Sequence, residues 1–116
     1  MFHSLIKEIW TTTPGLANVM LAGTDGIIIA RHHENEQDDF VAVEAASLVK
    51  EAHRFGNEMK GDNLISICTY FQSLSVLIQM VTDDYFLVGI IKELKYLGQI
   101  RYRFTVKSNE WYSAIA

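Results

Sequence analysis

The sequence predicts an α+β sandwich of order α-β-β-α-β-β-β-α, with a five-stranded, mainly antiparallel sheet flanked by helices. Three observations carry that expectation. Segments with apolar residues at helical spacing open, divide and close the chain. Apolar, β-branched runs of strand length fill the intervals, and the breaks between neighbouring runs are short, as antiparallel pairing allows. A length of 116 residues suits a single domain spanning 1–116 with one substantial core.

Phe2 to Thr11 places Leu5, Ile6, Ile9 and Trp10 at helical spacing, and Thr11-Thr12-Thr13 followed by Pro14-Gly15 ends it. Leu16–Leu21 and Gly26–Arg31 read as a hairpin across Ala22-Gly23-Thr24-Asp25, where Asp25-Gly26 supplies a residue that accepts positive φ. The polar stretch His32 to Asp39 leads into a long helix, Asp38 to Lys60, with Asp38 or Asp39 placed to cap it and Gly61 to stop it. Asn63–Phe71, Leu74–Thr82 and Tyr85–Ile91 then form a meander broken at Gln72-Ser73 and Asp83-Asp84. Glu93 to Tyr112 returns to helical spacing, with Leu94, Leu97, Ile100, Arg101, Phe104 and Trp111 near one face to cover the sheet.

The long helix carries two apolar lines, one of Val41, Ala45, Leu48, Ala52, Phe55 and Met59 and one of Ala42, Ala46, Val49, His53 and Gly56. Together they span roughly half the circumference, whereas a helix covering only its own core needs a stripe of about 100°. The surplus implies a second partner.

A hydrophobic fraction of 49% with one Pro marks a chain that folds and has apolar surface to spare. Net charge is −4 and the Lys and Arg residues are scattered, which argues against nucleic acid. The N-terminus has no basic segment leading into an apolar region, and the run Phe86 to Ile91 is far short of a membrane span, so neither a signal peptide nor membrane insertion is expected. A lone Cys68 fits a reducing, cytoplasmic setting.

Chemistry-bearing residues are few, and we expect no catalytic, cofactor or metal site. His32-His33 with Glu34 and Glu36 lacks a completing ligand cluster, and adjacent side chains of an extended segment point apart, so a solvated loop is expected. His53 lies in an apolar arc as an interface histidine. Cys68 has no CxxC neighbour and reads as a structural thiol. Gly23-Thr24-Asp25-Gly26 lacks the Lys and Ser/Thr of a phosphate loop, and Asp83-Asp84 has no acidic companion near in sequence, so both read as turns.

The element order resembles the roadblock/LC7 family. So do Thr13-Pro14-Gly15-Leu16, the hairpin Leu21-Ala22-Gly23-Thr24-Asp25-Gly26-Ile27-Ile28-Ile29-Ala30, Thr82-Asp83-Asp84-Tyr85, and Tyr96-Leu97-Gly98-Gln99-Ile100-Arg101 with its Leu-Gly-x-x-Arg element. The resemblance covers nearly the whole chain and rests on the combination, in this order. It implies a homodimer in which the second helices meet and the third strands pair edge to edge, through helix 38–60 and strand 63–71. It also implies a non-enzymatic regulator or scaffold for a Ras-like small GTPase of the MglA type, acting on its nucleotide state or localisation.

Side-chain size assigns the bulkier line to the subunit's own sheet and the smaller one to the mate, with the reverse assignment as the alternative. The expected dimer contact is then Ala42, Ala46, Val49, His53 and Gly56, with Ile65 and Ile67 on the edge strand. Phe40 and Val43, on the polar side with Glu44, Ser47 and Arg54, are the expected partner-binding residues, unless the Glu34–Gln37 loop covers the apolar pair. Should the protein speed GTP hydrolysis, Arg31, Arg54, Arg101 and Arg103 are the arginines available in trans; Arg101 and Arg103 are expected with Lys107 on a solvated face. A small-molecule sensor on a profilin- or PAS-like sheet is the second reading, and it requires a cavity between sheet and helix.

Overall fold

The computed structural model describes residues 1–115. The elements run α1 (Phe2–Thr12), β1 (Leu16–Gly23), β2 (Ile28–Arg31), α2 (Asp38–Glu58), β3 (Ser66–Tyr70), β4 (Ser75–Met80), β5 (Tyr85–Ile91) and α3 (Leu97–Ile115), the last preceded by a 3₁₀ turn at Leu94–Tyr96. The five strands form one sheet of order β2-β1-β5-β4-β3. Every pairing is antiparallel, with Leu21 opposite Leu87 and Ile78 opposite Val88 at its centre.

Both faces of the sheet are covered, which is why the central strands are apolar on consecutive residues. On one face Val19, Leu21, Leu77, Leu87 and Ile91 pack with Ile6 and Ile9 of α1 and Ile100, Phe104 and Trp111 of α3. On the other, Met20, Ala22, Ile78, Phe86 and Val88 pack with Ala42, Ala45, Ala46 and Val49 of α2. Gly89 lets α3 approach: a Cβ there would stand 2.7 Å from Cζ of Phe104.

Two details at the ends of α2 depart from the sequence reading. Asp38 does not cap the helix amides. Its buried carboxylate accepts from Arg31 Nη1 at 3.3 Å and from the Asn35 amide at 3.0 Å, tying β2 to the helix start across the loop. The helix also ends at Glu58, before Gly61, because Lys60 and Gly61 both take positive φ and turn the chain back. On that return the Asp62 amide donates to the Gly56 carbonyl at 3.1 Å.

Candidate functional site

The structure reverses the expected assignment for the smaller line and for Leu48, Phe55 and Met59, while Ala45 stays buried and Val41 half-buried against the subunit's own sheet. Ala42 and Val49 are fully buried, Ala46 is 4% exposed, and all three lie against the subunit's own sheet. Leu48, Phe55 and Met59 remain 44%, 61% and 53% exposed. The cause is complementary size: the sheet presents Met20, Ile78 and Phe86 on this face, so the helix reaches close packing through its small residues. Gly56 is likewise needed at home, since a Cβ there would meet the Asp62 carbonyl oxygen at 2.4 Å. Of the residues expected at a mate, Ala42, Ala46, Val49 and Gly56 are therefore spent within the subunit, and His53 is half-buried beside Leu64 and Gln79.

The bulky line lies on the flank of α2 that faces β3. Leu48, Ala52 and Phe55 border a shallow depression with Ile67 of β3, which is itself half-buried against the α2 core. Ile65, just before β3, is 69% exposed. Strand β3 pairs only with β4, so its outer edge has free backbone donors and acceptors. At the start of the line, Val41 borders an open groove of about 1040 Å³ with Phe71, Leu74, Val76 and Ile90, rimmed by the loop residues Asn35 to Asp38. Side-chain size alone pointed inward for Leu48, Phe55 and Met59. Spacing did not separate the two lines, because both alternate steps of four and three residues and share the period of a helix-to-helix seam.

Phe40 and Val43 lie elsewhere on the helix and are exposed, not covered by the Glu34–Gln37 loop. Val43 faces the β1–β2 turn, within 3.3 Å of where a Gly26 Cβ would be. Glu44 and Ser47 are also exposed there. Arg54 is engaged by Glu51 and Glu58 at 2.9 Å each. The hydrogen bond and charge of Glu51 lead in holding its guanidinium above the ordinary value.

Other side chains refine the expectations. Arg31 is committed to Glu34 and Asp38, while Arg101 and Arg103 are exposed. Lys107 is not solvated with them. Its side chain is 11% exposed and its amine bridges Glu8 of α1 and Glu110 of α3. His32 and His33 do not point apart: their rings lie 4.3 Å from one another, because the chain bends there, and both pack on Trp10. Cys68 is half-buried against the α1/α3 core. Gly23-Thr24-Asp25-Gly26 is a hairpin turn in which Asp25 accepts from the Ile27 amide. Thr82 closes the Asp83-Asp84 turn by accepting from the amides of Asp84 and Tyr85. Among the described residues no group of three or more His, Cys, Asp or Glu is placed to hold a metal, and no helix is long and apolar enough to cross a membrane.

This geometry can be set beside known proteins. The fold is similar to a Roadblock/LC7 domain from Streptomyces avermitilis, at 13% identity and TM-score 0.86, covering 97% of this chain and 96% of that one. It is similar to Myxococcus xanthus MglB at 16% identity and TM-score 0.87, covering 97% and 93%. Acanthamoeba castellanii profilin II shares the architecture at 14% identity and TM-score 0.73, covering 98% of each chain. No curated protein matches the chain in sequence. The Roadblock/LC7 domain model matches residues 5–91, from α1 to the last residue of β5. With that match over most of its length and a five-stranded antiparallel sheet between α2 and the α1/α3 pair, the chain belongs to the Roadblock/LC7 domain family.

Proposed function

We propose that the protein is a non-enzymatic dimeric regulator or scaffold that binds a Ras-like small GTPase, of the type partnered by MglB-like proteins, and biases its nucleotide state or localisation. The observation that carries this reading is the exposed line Leu48-Phe55-Met59 beside the free edge of β3. An apolar seam and an open strand edge side by side suit a second copy of the chain, which satisfies both at once. A two-fold contact must be self-complementary, and the spacing of this line suits one. Leu48 stands seven residues after Val41 and seven before Phe55, so antiparallel helices crossing at Leu48 set the mate's Phe55 against Val41. Met59 of the mate then reaches the groove rimmed by Asn35 to Asp38. The dimer contact proposed is accordingly Val41, Leu48, Ala52, Phe55 and Met59 with Ile65 and Ile67 on the β3 edge. Ala42, Ala46, Val49 and Gly56 support it from inside.

The GTPase would meet the outward side of the paired helices, where Phe40, Val43, Glu44, Ser47 and Arg54 remain available. Arg54, held by two glutamates, suits shape recognition better than entry into a nucleotide site. A regulator of this kind acts by binding one conformation of its partner better than the other. The sensor reading requires a cavity between sheet and helix; the middle of that contact is filled by Ala42, Ala46 and Val49 against Met20, Phe86 and Val88, and the groove beside Val41, Val76 and Ile90 is open instead of enclosed.

The test is a pull-down from native lysate supplemented with a non-hydrolysable GTP analogue or with GDP, the captured proteins being identified by mass spectrometry. A small GTPase enriched in one arm supports the reading. Its absence from both arms, with the bait shown to be folded and dimeric, would overturn it.

A further inference from the structure

We propose that the packed rings of Trp10, His32 and His33 form an acid-sensitive clasp between α1 and the segment leading into α2, closed while both imidazoles are neutral and released when both are protonated. The Trp10 and His32 rings stack with centroids 4.1 Å apart and planes 15° from parallel. His33 stands edge-on to both, at 4.3 Å from His32 and 5.1 Å from Trp10. The backbone beneath is anchored. The His32 amide donates to the Val19 carbonyl at 3.0 Å, while the buried Asn18 amide accepts from the His33 amide at 2.9 Å and donates to its carbonyl at 3.1 Å. Two imidazolium rings on this fixed backbone separate only by swinging off the indole, which removes their contact with α1.

The surroundings offer little to neutralise a second proton. From α1 the pair meets the uncharged Trp10, and Glu8 two residues earlier is taken by Lys107. From β1 it meets Asn18, and at the end of β2 Arg31 already holds Glu34 and Asp38. Lys92 and Glu93, after β5, line a groove with Trp10, and Lys95 stands 3.7 Å from the Glu93 carboxylate. Burial first, and the charge of His33 second, lower the His32 pKa from its ordinary 6.5. A single cation is attracted to the indole face, whereas two imidazolium rings at this spacing repel one another. Because the folded value is depressed, the stabilisation is complete above 6.5 and is lost as pH falls through the lower folded value.

The test uses the full chain labelled with 5-fluorotryptophan, whose two indole resonances are assigned through Trp10→Phe. Between about pH 7.5 and 5 the Trp10 resonance is expected to titrate with a midpoint below that of free histidine, while Trp111 stays in place and helix content by circular dichroism is kept. Amide exchange in α1, corrected for intrinsic rate, should rise about ten-fold over the same range. His32→Phe, which keeps a stacked ring but no proton, should flatten both responses; His33→Gln is the second variant should the first fold poorly, and should weaken them. A Trp10 resonance that stays still overturns the clasp, as does a titration unchanged in the folded variants or a shift shared by Trp111 with loss of helix signal.

Discussion

Exchanging one residue on each line of α2 separates the two roles of the helix. Ala46→Glu puts a carboxylate under the subunit's own sheet, where Ala46 is 4% exposed. An unpaired buried charge costs about 3–5 kcal/mol, against a total stability of about 6–17 kcal/mol for a chain of this length. At roughly 3–6 °C per kcal/mol, the melting temperature should fall by about 10–30 °C. Leu48→Glu acts on the other line. Fully burying a leucine is worth about 1.5–3 kcal/mol, and Leu48 is 44% exposed, so in the proposed dimer each subunit would forfeit about 1 kcal/mol of association. Two-fold symmetry doubles the loss to about 2 kcal/mol, roughly a 30-fold weaker dimer, and two carboxylates meeting at the axis weaken it further. Sedimentation equilibrium reads the dimer constant, and thermal melts at matched concentration read the subunit. The reasoning is refuted if Leu48→Glu sediments as the wild type does, or if Ala46→Glu dissociates a subunit that melts normally.

Three further outcomes follow from particular contacts. Gly56→Ala should cost about 1–2 kcal/mol net in urea unfolding, since the clash with the Asp62 carbonyl outweighs the gain in helix propensity, and should leave the dimer constant of the folded protein unchanged. Arg31→Ala strands the buried Asp38 carboxylate and should cost about 1–3 kcal/mol; adding Asp38→Asn should recover part of that loss in the same unfolding assay. Lys107→Met removes the tie between α1 and α3, for at most about 1 kcal/mol. The Glu8 and Glu110 hydrogen bonds raise the Lys107 pKa from 10.5, so the tie is fully present below that value and lost as pH rises through the higher folded one. Wild type and Lys107→Met should therefore differ at neutral pH and converge in alkaline solution.

The order and type of all eight main elements were legible because each is specified locally, by periodicity or by a turn such as Asp25-Gly26. The surplus apolar surface of α2 was legible for the same reason. Which line faced the sheet was not, because that depends on what the sheet presents: Met20 of β1 comes together with Ile78 and Phe86 of β4 and β5, more than fifty residues further along the chain, and they pack against alanines and Val49. Asp38 was misread on similar grounds, since its partner Arg31 reaches it across a loop whose path local rules leave open. The ring stack had no signature along the chain: Trp10 and His32 lie twenty-two residues apart and meet only because α1 folds back over the hairpin.

The two rims of the sheet are unequal. On one side β2 offers only four residues, in a ladder with β1 whose register slips between Leu21 and Ala22. On the other, β3 offers a regular five-residue strand with unbroken register to β4. Short and irregular edges are poor templates for further pairing. Growth by strand addition thus has one productive direction. A second copy joined through β3 would turn both good edges inward and leave a β2 at either end, so that the proposed assembly would carry its own stop signal and close at two instead of propagating into a fibre.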